Sequence, residues 1–254
     1  MRREWTDRGV ILRIGHFRDN DLWLKLLFRT RGLVTAFAFG ASRSRRRFCG
    51  CLDVFNTIQC RVLTSGRGEF LNLQEATLLS GPVALRKNWQ RMGMAANCLR
   101  FLEAIGVSIE NAGETFCLLE DVRQTMEEAA SVSALFPFFF RLRVACMQGY
   151  APGLENCYVC GAPPRAGERS FFQVDEGQCV CAACRDSSAG RSRYQVLLPY
   201  GALTYLNAVA HAAPSAWPPV PESGGDRRAC VRAIDGFIQY HLGLVWENGY
   251  FRRA

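Results

Sequence analysis

Residues 22–40 read LWLKLLFRTRGLVTAFAFG, and this stretch predicts a β-hairpin. Apolar residues alternate along two runs, Leu22 to Arg29 and Leu33 to Gly40, as they do in strands that bury one face. The connection between the runs ends in Gly32, and glycine readily adopts the positive φ that a short hairpin connection needs. The stretch therefore predicts two antiparallel strands of a larger sheet.

Three further runs continue this β pattern on either side of the hairpin. They are Gly9 to His16, Val54 to Leu63 and Glu69 to Leu78, and Ser65 to Gly68 predicts a second hairpin connection before the last run. Five short strands within 80 residues favour a small closed barrel. We predict an oligonucleotide-binding (OB) barrel over residues 1–80, with an SH3-like barrel as the alternative.

The chain after residue 80 changes to a helical period. Ser80 or Gly81 can cap a helix that has Pro82 in its first turn, and apolar residues then recur every three or four positions. The fold class is therefore α+β and multidomain. We predict a helical domain in two parts, 81–153 and 191–254 with a linker at about 215–225, and an inserted cysteine module at 154–190.

Four cysteines in this module form two C-x-x-C pairs with twenty residues between them. This spacing is typical of a structural zinc site, and four thiolates would leave the ion no open position for catalysis. A redox dithiol and a pair of disulfides are the alternatives, and the nearby Cys179 could substitute as a ligand. The predicted zinc ligands are Cys157, Cys160, Cys181 and Cys184.

Positive charge is concentrated at the N-terminus of this 254-residue chain, which carries a net charge of +8. Residues 1–80 hold 14 Lys and Arg against 7 Asp and Glu. Such asymmetry predicts a surface for a polyanion, most often a nucleic acid. The predicted phosphate contacts are four arginines in the segment from Ala41 to Phe48, with two weaker additions near the last hairpin: Arg43, Arg45, Arg46, Arg47, Arg61 and Arg67.

Aromatic residues on the predicted strands could stack on the bases of a single strand. Trp23, Phe37 and Phe39 are candidates, but aromatic residues at strand spacing are more typical of a core, so none is assigned to bases. The sequence contains no P-loop, no nucleophile-elbow motif and no histidine and carboxylate set at ligand spacing. It therefore predicts a protein that is not an enzyme.

A second candidate surface lies in the segment LFPFFFRLR, residues 135–143. Three consecutive phenylalanines on a helix cannot all face one core, so one of them could line a surface groove. Phe139 with Arg141 and Arg143 is predicted to bind an acidic peptide. The first nine residues have no apolar run like that of a signal peptide, and prolines interrupt the uncharged stretch after Val196, so a cytoplasmic protein without a membrane segment is expected.

The order of these parts resembles the RecO family of bacterial recombination mediators over nearly the whole chain. The motifs that carry the resemblance are GVILRI at 9–14, FRDND at 17–21, LFRTRG at 27–32, CYVCG at 157–161, EG at 176–177 before CAAC at 181–184, and YHLG at 240–243. Gln178 stands where the family usually has a second glycine. Some members of the family lack the cysteines, which is consistent with a structural zinc.

This resemblance implies a DNA repair protein that binds single- and double-stranded DNA and anneals complementary strands. It also implies RecR as a partner, contact with the acidic C-terminal tail of the single-strand-binding protein, loading of RecA as the outcome, and a place at the nucleoid. Two other classes fit the residues: a zinc-ribbon module that binds RNA or assists transcription, and a purely structural adaptor.

Overall fold

The computed structural model describes residues 3–64, 70–187 and 192–253. The chain forms two compact units, Met1–Ala129 and Ala130–Ala254. The predicted boundary at residue 80 marks the end of the last barrel strand, whereas the first compact unit continues through two helices. The predicted helical domain is therefore divided between the two units.

Five strands close a barrel in the first unit. They are β1 (Arg3–Arg18), β2 (Asp21–Phe28), β3 (Gly32–Ala38), β4 (Thr57–Thr64) and β5 (Leu71–Ser80). Their order around the barrel is β1-β2-β3-β5-β4, and β4 pairs with β1 to close it. β3 and β5 are parallel, and the other neighbours are antiparallel. The predicted five-stranded, OB-like barrel is confirmed.

Alternate side chains along the strands point inward and fill the barrel core. On β2 the side chains of Leu24, Leu26 and Phe28 are completely buried, and Ala36 and Ala38 of β3 join them. Fully burying one large apolar side chain contributes about 1.5–3 kcal/mol. The period-2 pattern that predicted these strands is thus the pattern that makes the core.

Two helices complete the first unit, α1 (Trp89–Ile105) and α2 (Ala112–Glu128). The predicted helix start around Pro82 is wrong, because β5 runs to Ser80 and a short 3-10 turn follows it. The N-cap of α1 is Asn88, whose side-chain oxygen accepts a hydrogen bond from the Arg91 N–H at 3.1 Å. An N-cap side chain satisfies a backbone donor that a helix leaves unpartnered, so Asn88 fixes the start of α1.

The turn between β2 and β3 lies against the segment that follows α1. Gly32 has a φ of +71°, and a Cβ at this position would lie 2.5 Å from the Val107 carbonyl oxygen. The N–H of Leu33 donates to that same oxygen at 3.1 Å. The predicted role of Gly32 in the hairpin is confirmed, whereas the second predicted connection, Ser65 to Gly68, lies outside the described residues.

The second unit combines helices with short strands. It contains α3 (Phe136–Met147), β6 (Arg169–Gln173), β7 (Gln178–Cys181), β8 (Gln195–Pro199), α4 (Tyr200–His211), α5 (Gly224–Leu242), β9 (Leu244–Glu247) and β10 (Tyr250–Arg253). The first three strands form an antiparallel sheet in the order β7-β6-β8, and the last two form a hairpin. Within the described ranges no helix is long and apolar enough to span a membrane.

Candidate nucleic-acid interface and metal site

The arginine loop, defined as Ala41 to Phe48, follows β3 and is anchored to the barrel. Phe48 is only 2% exposed and packs in the barrel core. The Arg47 carbonyl accepts a hydrogen bond from the N–H of Ala76 on β5 at 2.9 Å. A buried aromatic ring and a backbone hydrogen bond therefore fix the end of the loop on the barrel surface.

All four predicted arginines of the loop, Arg43, Arg45, Arg46 and Arg47, are exposed. The Nη2 of Arg47 donates to the Phe39 carbonyl oxygen at 2.6 Å, which places this guanidinium beside the end of β3. The Ser42 N–H donates to the Asn20 carbonyl oxygen at 3.1 Å, so the loop runs beside the β1–β2 turn. Exposed guanidinium groups bind phosphates through paired, charge-assisted hydrogen bonds, and the loop can therefore hold a nucleic-acid backbone.

Arg61 on β4 differs from the arginines of the loop. Its Nη1 lies 2.5 Å from an oxygen of Glu4, and its Nε lies 2.9 Å from an oxygen of Glu75. Hydrogen bonds from Arg61 to Glu4 and Glu75 raise the pKa of the guanidinium, and the two carboxylates offset its charge. Arg61 is thus less suited to phosphate than the loop is, and the prediction for Arg67 lies outside the described residues.

The aromatic residues of β2 and β3 lie on the outer surface of the barrel. Trp23 pairs directly with Phe37 across the two strands, while Leu24 and Ala36 beside them point into the core. Phe39 is 41% exposed. The expectation that these rings form the core is wrong, because the inward positions of both strands are the alternate ones.

The four predicted metal ligands come together in the second unit. Their sulfur atoms all lie within 4.8 Å of one another, and the Sγ atoms of Cys160 and Cys181 are 3.9 Å apart. A tetrahedral zinc with bonds of about 2.3 Å would place its sulfur ligands about 3.8 Å apart. This donor set could hold a metal ion, and its four thiols match those of structural zinc sites: Cys157, Cys160, Cys181 and Cys184.

Backbone N–H groups surround Cys157 and favour the thiolate form of its side chain. Gly161, with a φ of +71°, donates its N–H to the Cys157 carbonyl oxygen at 2.8 Å and closes the first turn. The Cys181 N–H donates to the Cys157 sulfur at 3.3 Å. Burial raises the pKa of Cys157, but the N–H groups of Cys181, Cys160 and Val159 outweigh it and lower the pKa to about 6. The thiolate is the form that binds a metal.

Cys179 lies beside the cluster but is not one of the four sulfurs that converge. Its side chain is 2% exposed, and burial raises the pKa of the thiol to about 12. Such a thiol stays neutral and behaves as a small apolar residue. The geometry therefore gives no support to Cys179 as a substitute ligand.

The three residues of the predicted peptide groove do not form a surface groove. Phe139 is 1% exposed and packs against the Tyr205 ring at a centroid distance of 4.8 Å, so this part of the prediction is wrong. The Nη1 of Arg143 donates to the Ala210 carbonyl oxygen at 3.0 Å. α3 turns Phe139 towards α4, and the sequence of α3 alone could not show which of its faces would be covered.

Arg141 is also buried, with 4% of its side chain exposed. Its Nη1 lies 3.0 Å from an oxygen of Asp235, and its guanidinium carbon lies 4.5 Å from the centroid of the Phe138 ring and 4.9 Å from that of Phe251. Arg141 therefore connects α3, α5 and the β9–β10 hairpin. Its contacts indicate a structural role within the second unit.

A groove lies on the surface of the second unit, beside the N-terminal half of α5. It has a volume of about 950 Å³ and is lined by residues 131–135, by 218–220 and by α5. Leu135 and Val231 contribute apolar surface to it. Three exposed arginines of α5, separated by one and four positions, also line it: Arg227, Arg228 and Arg232.

These features define a class of protein. A closed OB-like barrel that carries an anchored loop of exposed arginines is typical of proteins that bind single-stranded nucleic acids with little sequence preference. The second unit adds helices and a four-cysteine cluster of the kind that stabilises a fold.

Comparison with known families narrows this class. The chain matches the N-terminal domain of recombination protein O over residues 1–82 and the C-terminal domain of recombination protein O over residues 86–248. The chain therefore belongs to the RecO family of DNA repair proteins. The resemblance read from the motifs of the sequence is confirmed.

Individual relatives are similar over nearly their whole length. The DNA repair protein RecO of Nitratidesulfovibrio vulgaris (strain DP4) is 45% identical over 255 residues, covering 98% of this chain and 99% of the relative. The protein of the same name from Lawsonia intracellularis is 41% identical over 99% of this chain and 100% of the relative. The DNA repair protein RecO of Myxococcus xanthus is 30% identical over 94% of this chain and 93% of the relative.

Proposed function

We propose that this protein is a recombination mediator that binds single- and double-stranded DNA and anneals complementary strands at the nucleoid in the cytoplasm. It acts with RecR and the single-strand-binding protein to permit RecA loading, and it catalyses no covalent reaction. The observation that carries the proposal is the loop of four exposed arginines anchored on an OB-like barrel. Membership of the RecO family supports the proposed partners, because the resemblance to that family implies them.

The DNA-binding part of this proposal is tested by measuring affinity for a fluorescent single-stranded oligonucleotide over a range of salt concentrations. Each phosphate contact on a single strand contributes about −0.7 to the log-log salt slope. Changing Arg43, Arg45, Arg46 and Arg47 to alanine should therefore make the slope less steep by about 3.

The matched control removes four exposed arginines of the second unit, namely Arg165, Arg169, Arg252 and Arg253. The net charge changes equally in the two variants, so only a local role of the loop predicts different slopes. Equal slopes for the loop variant and wild type would contradict the assignment of phosphate contacts to the loop.

We also propose that the four-cysteine cluster holds a structural zinc ion. Cys157, Cys160, Cys181 and Cys184 would supply all four ligands, so the ion would keep the β6–β7 region folded and would take no part in a reaction. The convergence of the four sulfur atoms within 4.8 Å supports this proposal.

The tail of the single-strand-binding protein is proposed to bind the α5 groove. Its apolar lining suits the side chains of an acidic, partly apolar peptide, and Arg228 and Arg232 supply positive charge. The probe is a fluorescein-labelled peptide of that tail. The double change Arg228→Glu and Arg232→Glu should weaken binding at least about tenfold, as expected for two reversed charges at a binding site.

A charge-matched double variant, Arg252→Glu and Arg253→Glu, provides the control for the peptide measurement. Its residues lie on β10 and do not line the groove. Unchanged peptide binding by the groove variant, or an equal loss in both variants, would place the peptide site elsewhere.

The alternative function, an RNA-binding or transcription-associated module, makes a different prediction. Such a protein would prefer an RNA oligonucleotide over DNA of the same sequence and would not anneal coated DNA strands. Competition between the two oligonucleotides for the same labelled complex distinguishes the functions. A structural adaptor would bind neither oligonucleotide at low salt.

A further inference from the structure

Five aromatic side chains lie together on one side of the barrel, and we call this surface the aromatic face: Phe17, Trp23, Phe37, Phe39 and Phe70. Phe17 is 50% exposed and Phe70 is 56% exposed. Large aromatic rings usually contribute to a core, so half-exposed rings gathered in one place indicate a binding surface.

Phe37 is at the centre of the aromatic face. Its ring centroid lies 5.2 Å from that of Phe17, 6.3 Å from that of Phe39 and 5.8 Å from that of Phe70. The rings of Phe37 and Phe39 are nearly parallel, with an angle of 16° between their planes. The face is thus continuous and joins β1, β3 and the residue before β5.

Positive charge surrounds these rings. The guanidinium carbon of Arg18 lies 5.2 Å from the centroid of the Phe17 ring, and that of Arg13 lies 5.3 Å from the Trp23 ring. The arginine loop adjoins the face, because Arg47 donates to the carbonyl oxygen of Phe39. Arg13 also pairs with Glu103 at 3.3 Å, which offsets part of its charge, so Arg18 and the arginine loop supply most of the positive charge beside the rings.

This combination favours one kind of occupant. A protein partner would need an apolar surface, but exposed arginines beside the rings instead suit phosphates next to flat, π-rich groups. Trp23 lies on β2, Phe37 lies on β3, and Phe17 lies near the end of β1, beside the β1–β2 turn. OB folds use this region to bind oligonucleotides.

We propose that the aromatic face is a stacking platform for the unpaired bases of single-stranded DNA, while the arginine loop holds the phosphates of the same strand. The inference rests on the proposed DNA-binding function and deepens it. Bases in a duplex are already stacked on one another and are not accessible to the rings. The platform therefore contributes to single-strand binding and not to duplex binding, which gives the protein a preference for unpaired strands.

The test compares two ligands of equal charge: an oligonucleotide with all its bases and one of the same length whose central residues are abasic. Affinities of wild type and of the double variant Phe17→Ala, Phe39→Ala are measured by fluorescence anisotropy over a range of salt. Each stacked base is worth about 1–3 kcal/mol, a loss of at least about fivefold per ring. The variant should lose at least about 25-fold for the complete strand, with an unchanged salt slope.

The abasic strand should bind equally weakly to wild type and to the variant, and duplex affinity should be the same for both. A control variant, Trp89→Ala, removes an aromatic residue of α1 that is 81% exposed and lies outside the aromatic face. It should bind like wild type. The second variant, Phe17→Tyr with Phe39→Tyr, retains the rings and should keep most of the affinity.

Four results would overturn the stacking platform or the DNA-binding function. If wild type binds the complete strand no better than the abasic one, or if the alanine variant binds like wild type, the stacking platform is overturned while phosphate-led binding remains. If the tyrosine variant loses as much affinity as a correctly folded alanine variant, the rings act in some way other than stacking, and the platform is also overturned. If wild type binds neither strand nor duplex, the proposed DNA-binding function itself fails.

Discussion

Gly15 on β1 lies directly across from Trp23 on β2, and the indole ring covers the glycine backbone. A Cβ at Gly15 would lie 2.3 Å from atoms of this ring, which is closer than real Cβ contacts allow. The same ring lies beneath the guanidinium of Arg13. The missing side chain of Gly15 therefore sets where Trp23 and Arg13 lie on the outer surface of the barrel.

The change Gly15→Ala should lower the free energy of unfolding by about 1–3 kcal/mol, the usual cost of forcing an extra group into an occupied site. Gly93→Ala is the matched control, because a Cβ at this exposed position of α1 would meet nothing within 4 Å. Since alanine favours a helix interior, the control should raise stability by about 0.5–1 kcal/mol. Urea unfolding measures both free energies. If both variants were more stable than wild type, the result would contradict the close packing of Trp23 on Gly15.

Residue-scale predictions from the sequence succeeded where the geometry was local. Two C-x-x-C pairs fix the positions of their own sulfurs within tight turns, so the spacing identified all four members of the cluster. Phe139 and Trp23 were misplaced, because the face of an element that becomes buried depends on what packs against it. Leu24 is buried next to the outward-facing Trp23, and Phe138 lines a pocket next to the buried Phe139. Adjacent residues of an element can therefore lie on opposite sides of it.

At the scale of elements, the cysteine module depends on strands that are too short to predict. β6 has five residues and β7 has four, and neither is long enough to show a clear period. β7 nevertheless carries Cys181 at its end and hydrogen-bonds with β6 through its backbone. A metal that joins Cys181 to the first cysteine turn would hold this small sheet in place.

The proposed ligand set predicts different results for two neighbouring cysteines. Cys184→Ser removes one of the four converging sulfurs and should reduce bound zinc from about one ion per chain to a small fraction of that. Cys179→Ala removes a buried thiol outside the cluster, so zinc should remain bound and stability should fall by only about 1 kcal/mol. Metal analysis of the purified variants decides this, and loss of zinc from the Cys179 variant alone would reverse the assignment.

At the scale of the whole molecule, the chain divides into two compact units, and the cysteine cluster belongs to the second. The sequence predicted the barrel and the helical segments on both sides of the cysteine module, because both have long periodic patterns. It did not predict that α1 and α2 cluster with the barrel, since this grouping depends on tertiary contacts such as those of α2 with β2. The Gly32 turn against Val107 is one such contact.

This division predicts a local response to metal removal. A chelator should increase amide hydrogen exchange in the segments of residues 154–187 and their neighbours in the second unit, because binding of a structural metal contributes directly to folding. The barrel strands should keep their protection, since their core contains no part of the cluster. Mass spectrometry of exchanged peptides measures both units at once, and equal loss of protection in the barrel would contradict independent stabilisation.

The measurement that most directly tests the proposed mediator function is annealing of complementary DNA oligonucleotides that have been coated with the cognate single-strand-binding protein. The proposed mediator function predicts that wild type anneals the coated strands. It also predicts that a folded, zinc-loaded variant with alanine at Arg43, Arg45, Arg46 and Arg47 does not, while the control with alanine at Arg165, Arg169, Arg252 and Arg253 does. If wild type failed to anneal the coated strands, the result would contradict the proposed mediator function.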